Sequence, residues 1–215
     1  MTKAIIFDLG GVLIDLDIKA CIEACRDEIG FTKAAELLDP CHQKGIFQQL
    51  EAGSISPEQF AEEVLKMCSP GVTAQQVAHA FRKLLIGLAP YKAELLKELS
   101  IKYDLFLLSN NNAISMPESR KIFEDAGIPM DSIFKKLFLS YEMHLLKPSD
   151  RIFQEAIKQI QELEAAEGKS IVPEEMLFID DSLTNVEAAR RNGLQALHYP
   201  QGEDLSAAIE AALKL

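Results

Sequence analysis

Four groups of polar residues in this chain follow short apolar runs, and together they carry the side chains best suited to chemistry. In chain order the groups are Asp8, Ser109-Asn110, Lys147 and Asp180-Asp181. A carboxylate can attack phosphorus as a nucleophile, a lysine can balance the charge of an anion, and paired carboxylates can bind a metal ion. The combination therefore suits the transfer of a phosphoryl group.

Asp8 is the predicted nucleophile, because it directly follows the apolar run Ala4 to Phe7. Its attack would form an acyl phosphate and divide one difficult step into two easier ones. Asp180-Asp181 facing Asp8 would bring several negative charges together, which is tolerable only when a cation binds, and an all-oxygen site suits Mg²⁺. Ser109, Lys147 and loop N–H groups would then supply the donors to the phosphate.

Five short and mostly continuous apolar runs predict parallel strands that are covered on both faces. Helical stretches separate the later runs, so the chain is predicted to have an α/β fold with a Rossmann-like, doubly wound parallel sheet. Ligands bind beyond the carboxyl ends of such strands, where the four polar groups would meet. The runs are Ala4 to Phe7, Leu105 to Leu108, Leu137 to Leu139, Met176 to Ile179 and Ala196 to Tyr199.

The stretch from about residue 16 to residue 90 contains helical patterns and no convincing strand. It predicts an all-α helical cap at residues 16–89, inserted after the first strand into a core of residues 1–15 and 90–215. Asp15 is predicted to cap the first helix of this insertion, or a turn, rather than to act as an acid. The predicted helices are Ile18 to Ile29, Ala34 to Leu38, Pro57 to Met67 and Ala74 to Ile86 in the cap, and Ile152 to Ala166, Asn185 to Asn192 and Asp204 to Leu213 in the core.

The net charge of the chain is −11, since 22 Lys and Arg residues face 33 Asp and Glu residues. A surface of this sign repels phosphate backbones and anionic lipid, so neither nucleic acid nor a membrane is an expected partner. It would also repel a small phosphorylated substrate unless amides, a lysine or a metal ion bind the phosphate locally. The candidate site meets this requirement.

The four cysteines include no C-x-x-C pair and fit no zinc pattern, although Cys41-His42 with Cys21 and Cys25 was considered as a metal cluster. Buried free thiols are the favoured interpretation. The apolar run before Asp8 is too short for a signal segment, and no later run approaches membrane-spanning length, so a cytoplasmic location is the default expectation.

Four motifs in order give the chain a resemblance to the haloacid dehalogenase (HAD) superfamily of hydrolases. They are F-D-L-G-G-V, L-L-S-N, L-L-K-P and F-I-D-D-S-L-T-N-V-E-A-A. The helical insertion resembles the cap of that superfamily. L-E-A-G-S-I-S-P-E-Q-F (Leu50 to Phe60) and L-L-K-P-S-D-R-I-F (Leu145 to Phe153) look like segments of the groups around α-glucose-1-phosphate phosphatase and the phosphatase domain of soluble epoxide hydrolase.

The resemblance implies a Mg²⁺-dependent phosphatase that acts on a small phosphorylated metabolite, with a sugar phosphate as the expected substrate. It implies that Asp8 is the nucleophile and a metal ligand, that Lys147 bridges nucleophile and phosphate, and that Asp180 is either a further ligand or orders metal-bound water. The remaining implied roles are metal binding by Asp181 and the Gly10 carbonyl, phosphate binding by Ser109, Asn110 and the loop at Gly10 and Gly11, and orientation of the metal ligands by Asn185.

The motif departs from most HAD phosphatases at Gly10, where an aspartate usually protonates the leaving oxygen. Three interpretations remain: a phosphatase in which another group or water replaces the acid, a 2-haloacid dehalogenase, and a relative that binds a phosphorylated ligand without catalysis. Asp180-Asp181 argue against the dehalogenase, and the intact Asp8 and Lys147 argue against the non-catalytic relative. The sequence decides neither between monomer and homodimer nor the role of residues 113–136.

Overall fold

The computed structural model describes residues 1–38 and 44–214 of the chain. In this part a parallel sheet of five strands has the order β5-β4-β1-β6-β7. The sheet confirms the predicted α/β fold, and each predicted strand matches an observed one to within a residue at either end. The strands are β1 (Ala4–Phe7), β4 (Asp104–Ser109), β5 (Lys136–Leu139), β6 (Met176–Asp180) and β7 (Gln195–His198).

Alternate residues of β1 belong to two separate hydrophobic clusters. Ile5 and Phe7 are buried in one cluster, and Ala4 and Ile6 are buried in the other. Because successive side chains of a strand point to opposite faces, the sheet is covered on both sides. The covering helices are α6 (Pro90–Ser100), α7 (Met116–Asp125), α8 (Met130–Ile133), α9 (Ser140–Met143), α10 (Asp150–Ala166), α11 (Leu183–Arg191) and α12 (Leu205–Leu213).

The register of the sheet brings the ends of three strands to one level. Phe7 of β1 pairs with Leu107 of β4 on one side and with Ile179 of β6 on the other. The residues that follow, Asp8, Leu108 and Asp180, therefore stand side by side at the carboxyl edge of the sheet. This edge carries the candidate site.

Residues 18–82 contain helices and have a hydrophobic cluster of their own. Phe47, Phe60 and Phe81 meet edge to face at its centre, with ring centroids 4.9 to 5.7 Å apart. The division of the chain into a core and a cap at residues 15 and 90 stays a prediction. The helices are α1 (Ile18–Ile29), α2 (Ala34–Leu37), α3 (Ile46–Glu51), α4 (Pro57–Leu65) and α5 (Ala74–Arg82).

The prediction that residues 16–90 contain no strand, and that a helix runs from Ala74 to Ile86, was wrong at the end of this stretch. Helix α5 ends at Arg82, and β3 (Leu85–Leu88) follows it. β3 pairs antiparallel with β2 (Ile14–Leu16), about 70 residues earlier. The apolar spacing through residue 86 continues the helical pattern, and only the distant partner strand makes the segment extended. The side-chain amide of Gln201 also bonds both the N–H and the carbonyl of Leu16.

The prediction that Asp15 caps the first helix was also wrong. Asp17 stands directly before α1, and its side chain accepts a hydrogen bond from the amide of Ala20 at 2.8 Å. Asp15 lies in β2 and pairs instead with Lys92, whose Nζ is 2.7 Å from Asp15 Oδ1 and 2.7 Å from the carbonyl oxygen of Val12. The Lys92 side chain is buried. It ties α6 to the ribbon formed by β2 and β3.

Residues 113–136, whose role could not be predicted, pack on the sheet. Phe123, Ile128, Met130 and Phe134 are buried in the same cluster as Phe7. The cysteines agree with the expected free thiols: Cys21 and Cys25 are buried and unpaired, while Cys41 and His42 lie outside the described residues. Among the described helices there is none with the length and apolarity that a membrane span requires.

We predict that Lys92→Met lowers the free energy of unfolding by roughly 1–3 kcal/mol, because it leaves the buried carbonyl of Val12 without its donor. Urea unfolding of the purified variant measures this change. Lys97→Met on the same helix is the matched control, since Lys97 is exposed and pairs with Glu94 at the surface. Equal losses in the two variants would contradict the structural role of Lys92.

Candidate active site

A cavity of about 120 Å³ opens at the carboxyl edge of the sheet. The structure brings the predicted site residues together around it, from the ends of β1, β4 and β6 and from the loop after α9. Asp180 is not exposed to the cavity but lies directly behind it. The lining includes Asp8, Gly10, Ser109, Asn110, Lys147, Asp181 and Asn185.

Lys147 is buried between two carboxylates. Its Nζ lies 2.9 Å from Asp8 Oδ1 and 2.6 Å from Asp180 Oδ2, and it donates to the carbonyl of Leu108 at 3.0 Å. These are the three positions that the strand register brings level. The amide of Leu9 also donates to Asp8 Oδ1, whereas no hydrogen bond from the described residues reaches Oδ2. Asp8 Oδ2 is therefore the oxygen left free to attack.

The protonation states of Lys147 and Asp8 follow from their burial and from the charges around them. Burial alone would lower the pKa of Lys147, but Asp180 and Asp8 raise it above its ordinary value, so the ammonium stays charged. Burial raises the pKa of Asp8 to about 7; Lys147 opposes this change, and Asp180 and Asp181 add to it. Asp8 therefore lies among other acidic groups, and a further cation would reduce the electrostatic repulsion between them.

Asp180 is fully buried and both of its oxygens are occupied. Oδ2 binds Lys147, and Oδ1 accepts from the amide of Ser182 at 2.8 Å and from Nδ2 of Asn185 at 2.9 Å. Asn185 Oδ1 is buried and has no hydrogen-bond partner in the described part of the chain. A buried amide oxygen without a partner is unfavourable unless water or an ion satisfies it.

The acidic residues fit a metal ion. Asp8, Asp180 and Asp181 each offer an oxygen within 4.8 Å of the others. Burial raises the pKa of Asp181 to about 6, and Asp180 adds to the effect. Gly11 has a φ of 76°, and a Cβ at that position would overlap with the Asp181 carboxylate, so only glycine allows this close approach. Clustered carboxylates beside an unpartnered amide oxygen form the hard oxygen donor set that Mg²⁺ prefers.

The two polar residues after β4 differ in what their side chains contact. Ser109 is buried and lines the cavity, and its hydroxyl donates a long hydrogen bond of 3.4 Å to the carbonyl of Asn110. The Asn110 side chain is committed to the lysine loop: its Nδ2 donates to the Lys147 carbonyl at 3.0 Å, and its Oδ1 accepts from the Lys147 amide at 2.9 Å. Asn110 therefore positions Lys147 in this structure.

Gly10 lies in the cavity wall without a side chain, and a neighbour occupies the adjacent space. A Cβ built on Gly10 would stand 3.1 Å from Leu16 Cδ1. The site therefore contains no acid at the position where most relatives of the resembled superfamily have one, and the fold fills that volume with leucine.

Several residues that line the cavity were not predicted as site residues. Glu51 at the end of α3 is the most notable, because it brings a carboxyl group from the helical insertion to the nucleophile. Its pKa is raised to about 8 by burial and by the charge of Asp8, while Lys147 lowers it. The L-E-A-G motif contains Glu51, but its chemistry is visible only once the insertion folds over the sheet. The others are Asn111, Asn112, Ser115 and Ser119.

The comparisons with known proteins agree with this geometry. A D-ribitol-5-phosphate phosphatase from Bacteroides thetaiotaomicron is 31% identical over 95% of both chains. The crystal structure of a HAD family enzyme from the same organism, in complex with magnesium and inorganic phosphate, has a TM-score of 0.85 at 35% identity and covers 96% of this chain and 98% of its own. A HAD-like family hydrolase structure from Porphyromonas gingivalis has a TM-score of 0.86 at 36% identity, with coverage of 100% and 99%.

The family model for haloacid dehalogenase-like hydrolases matches residues 2–193, which include every residue of the candidate site. The match spans the sheet from its first strand to the helix after the paired carboxylates, as well as the helical insertion. This chain belongs to the haloacid dehalogenase-like hydrolase family.

Proposed function

We propose that this protein is a Mg²⁺-dependent phosphatase that hydrolyses a small phosphorylated sugar or polyol through an aspartyl-phosphate on Asp8. The observation that carries the proposal is Lys147, buried between Asp8 and Asp180 with Asp181 beside them. A charged lysine at a carboxylate with one free oxygen is suited to an anionic substrate. The Bacteroides relatives, a ribitol-phosphate phosphatase and an enzyme bound to magnesium and phosphate, support the same activity.

In this proposal Asp8 Oδ2 attacks phosphorus while the bond from phosphorus to the ester oxygen breaks. Lys147 keeps Asp8 oriented through Oδ1 and balances the charge of the transferred group. Ser109 and the loop amides at Gly10 and Gly11 donate to the phosphate oxygens. Water then hydrolyses the aspartyl-phosphate and releases Asp8 and inorganic phosphate.

Asp8, Asp181 and the carbonyl of Gly10 would hold the metal ion, with Asn185 Oδ1 beside them. When bound, Mg²⁺ stabilises negative charge on the phosphoryl oxygens and offsets the repulsion between the acids and the substrate. Both oxygens of Asp180 already accept hydrogen bonds or an ion pair. We therefore assign Asp180 to the positioning of Lys147 and Asn185, and Asp181 to direct metal binding.

The two other interpretations of the sequence have less support. A haloacid dehalogenase needs no metal ion, and Lys147 would then be the one cation paired with the three clustered carboxylates in the described part of the chain to offset their charge. A non-catalytic binding protein would not need a nucleophile with one oxygen held by a lysine and the other left free. The complete constellation favours catalysis of phosphate hydrolysis.

We predict that Asp8→Asn lowers phosphate release from D-ribitol 5-phosphate by more than about 1,000-fold, because the amide cannot form the acyl phosphate. The assay measures inorganic phosphate in a panel of sugar and polyol phosphates with Mg²⁺. Asp125→Asn is the control, since Asp125 is exposed and pairs with Lys121 at the surface. Near-normal turnover by Asp8→Asn, or saturable binding without turnover by the unaltered protein across the panel, would contradict the proposed function.

We also predict that Mg²⁺ raises the Tm of the protein by several degrees at concentrations far above its Kd, because it binds only the folded site. At 100 times Kd such binding stabilises by about 2.7 kcal/mol. Thermal unfolding without substrate measures this shift. Asp181→Asn should lose most of it, whereas Asp131→Asn, an exposed residue paired with Arg120, should retain it. Equal shifts in the two variants would show that Asp181 does not bind the metal ion.

A further inference from the structure

The release of an alkoxide from phosphorus needs a proton, and the first strand offers no group to supply it. Gly10 has no side chain, and Leu16 occupies the adjacent volume. General acid catalysis of this kind is worth about 100- to 10,000-fold in rate. In a phosphatase that acts on a sugar or polyol phosphate, a side chain that supplies this proton would therefore have to come from another part of the fold.

Titratable side chains in the cavity lining are few. In the described part of the chain they are Asp8, Lys147, Asp181 and Glu51. In the proposed mechanism Asp8 is the nucleophile, Lys147 orients it and balances the charge of the phosphate, and Asp181 binds the metal ion. Glu51 has no such task, and no hydrogen bond or ion pair from the described residues holds its carboxyl group.

The backbone at Glu51 is fixed against the sheet. Ser140, at the first position after β5, donates its hydroxyl to the Glu51 carbonyl at 2.6 Å. The hydroxyl oxygen of Ser140 also accepts a hydrogen bond from the amide of Asn111 at 3.0 Å, and it lies 3.1 Å from the Asn111 carbonyl oxygen. A hydrogen bond of 3.2 Å joins His144 Nδ1 to the carbonyl of Ala52. These contacts hold the end of α3 over the strand ends.

The chain passes unusually close to the core just after Glu51. Gly53 has a φ of 64°, and a Cβ at that position would overlap with the carbonyl of Tyr141. Only glycine permits this approach at that backbone angle. The insertion therefore reaches the site through a segment built for close contact, which places Glu51 at the cavity.

The surroundings of Glu51 favour a carboxyl group that can keep its proton. Glu51 lines one cavity together with Asp8 and Lys147, and it also borders a second, mostly apolar cavity. The lining of the second cavity includes Leu50, Phe60, Phe81 and the cationic Arg82. Burial is the largest effect on the pKa of Glu51 and raises it above the ordinary value, while Lys147 opposes the change. A protonated carboxyl group is the species that a general acid requires.

We propose that Glu51, carried by the helical insertion, is the general acid and base that Gly10 does not provide. The proposal rests on the phosphatase activity proposed above. As Asp8 Oδ2 bonds to phosphorus and the ester bond breaks, the Glu51 O–H gives its proton to the departing oxygen and releases the alcohol. Glu51, now a carboxylate, takes a proton from the water that attacks the aspartyl-phosphate, which restores its acid form and frees Asp8 and phosphate.

The test compares Glu51→Gln on two substrates that differ in their leaving group. With D-ribitol 5-phosphate and Mg²⁺, kcat should fall about 100- to 10,000-fold, because the alcohol needs a proton to leave. With p-nitrophenyl phosphate, the aryl oxide leaves without one. The variant should therefore release p-nitrophenolate in a rapid burst at the unaltered protein's rate, followed by slow turnover while the aspartyl-phosphate awaits a base.

Glu62→Gln is the matched control, since Glu62 is an exposed residue of the same insertion. Glu51→Asp provides a second variant, which should recover part of the lost kcat because it retains an acid. A rise in KM with kcat unchanged would make Glu51 a substrate contact and overturn the proposal. So would equal losses in the first step on both substrates.

The failure of this inference is distinguishable from the failure of the proposed function. If the unaltered protein hydrolyses both substrates and Asp8→Asn neither, the phosphatase proposal stands, and a fully active Glu51→Gln variant then refutes Glu51 alone. If the unaltered protein hydrolyses neither substrate, both proposals fall together.

Discussion

The ammonium group of Lys147 is the interaction on which the rest of the site depends. It contacts Asp8, Asp180 and the carbonyl of Leu108, and these residues stand level because β1, β4 and β6 pair in register. Removing this charge would leave buried carboxylates without compensation, and an unpaired buried charge is strongly unfavourable. One side chain thus joins three strand ends and sets the orientation of the nucleophile.

The negative charge of the site can be compensated by two cations, Lys147 and a bound metal ion. Lys147 compensates part of it from below, where Asp180 is sealed away from solvent with both oxygens occupied. Asp181 lines the cavity, and no salt bridge to its carboxylate is found in the described part of the chain, so a bound cation would reduce the repulsion between it and Asp180. The different surroundings of the two adjacent aspartates follow from the alternation of side chains at a strand end: Asp180 points into the protein and Asp181 toward the cavity.

Much of the fold was predictable from the sequence because the strands of the sheet are continuous apolar runs and several helices begin at strong capping residues. Ser56 before Pro57 caps α4, and its side chain accepts a hydrogen bond from the amide of Gln59. The positions of Asp8, Lys147 and Asp181 at one edge followed from the rule that ligands bind at the carboxyl ends of parallel strands. These features depend on local pattern or on general topology.

The remaining features depend on contacts between distant residues. β3 is extended only because β2 pairs with it, and Asp15 leaves its expected capping role because Lys92 lies within reach. Asn110 has a side chain that could bind phosphate, yet in this structure its amide group is hydrogen-bonded to the backbone carbonyl and amide of Lys147. In the sequence Glu51 is not distinguished from the other acidic residues of the helical insertion; in the folded protein it lines the same cavity as Asp8. Such pairings leave no periodic signal in the sequence.

The hydroxyl of Ser140 has a consequence for the motion of the insertion. A hydroxyl carries one proton and can donate it to one acceptor at a time. Ser140 donates to the Glu51 carbonyl at 2.6 Å, but the Asn111 carbonyl lies 3.1 Å away within the core. If the insertion moves away from the sheet, the Ser140 hydroxyl can rotate and donate to the Asn111 carbonyl instead. One hydrogen bond then replaces another, and the buried hydroxyl keeps an acceptor. The hydrogen bond between Ser140 and the carbonyl of Glu51 is thus one whose loss carries little free-energy cost on the side of the sheet.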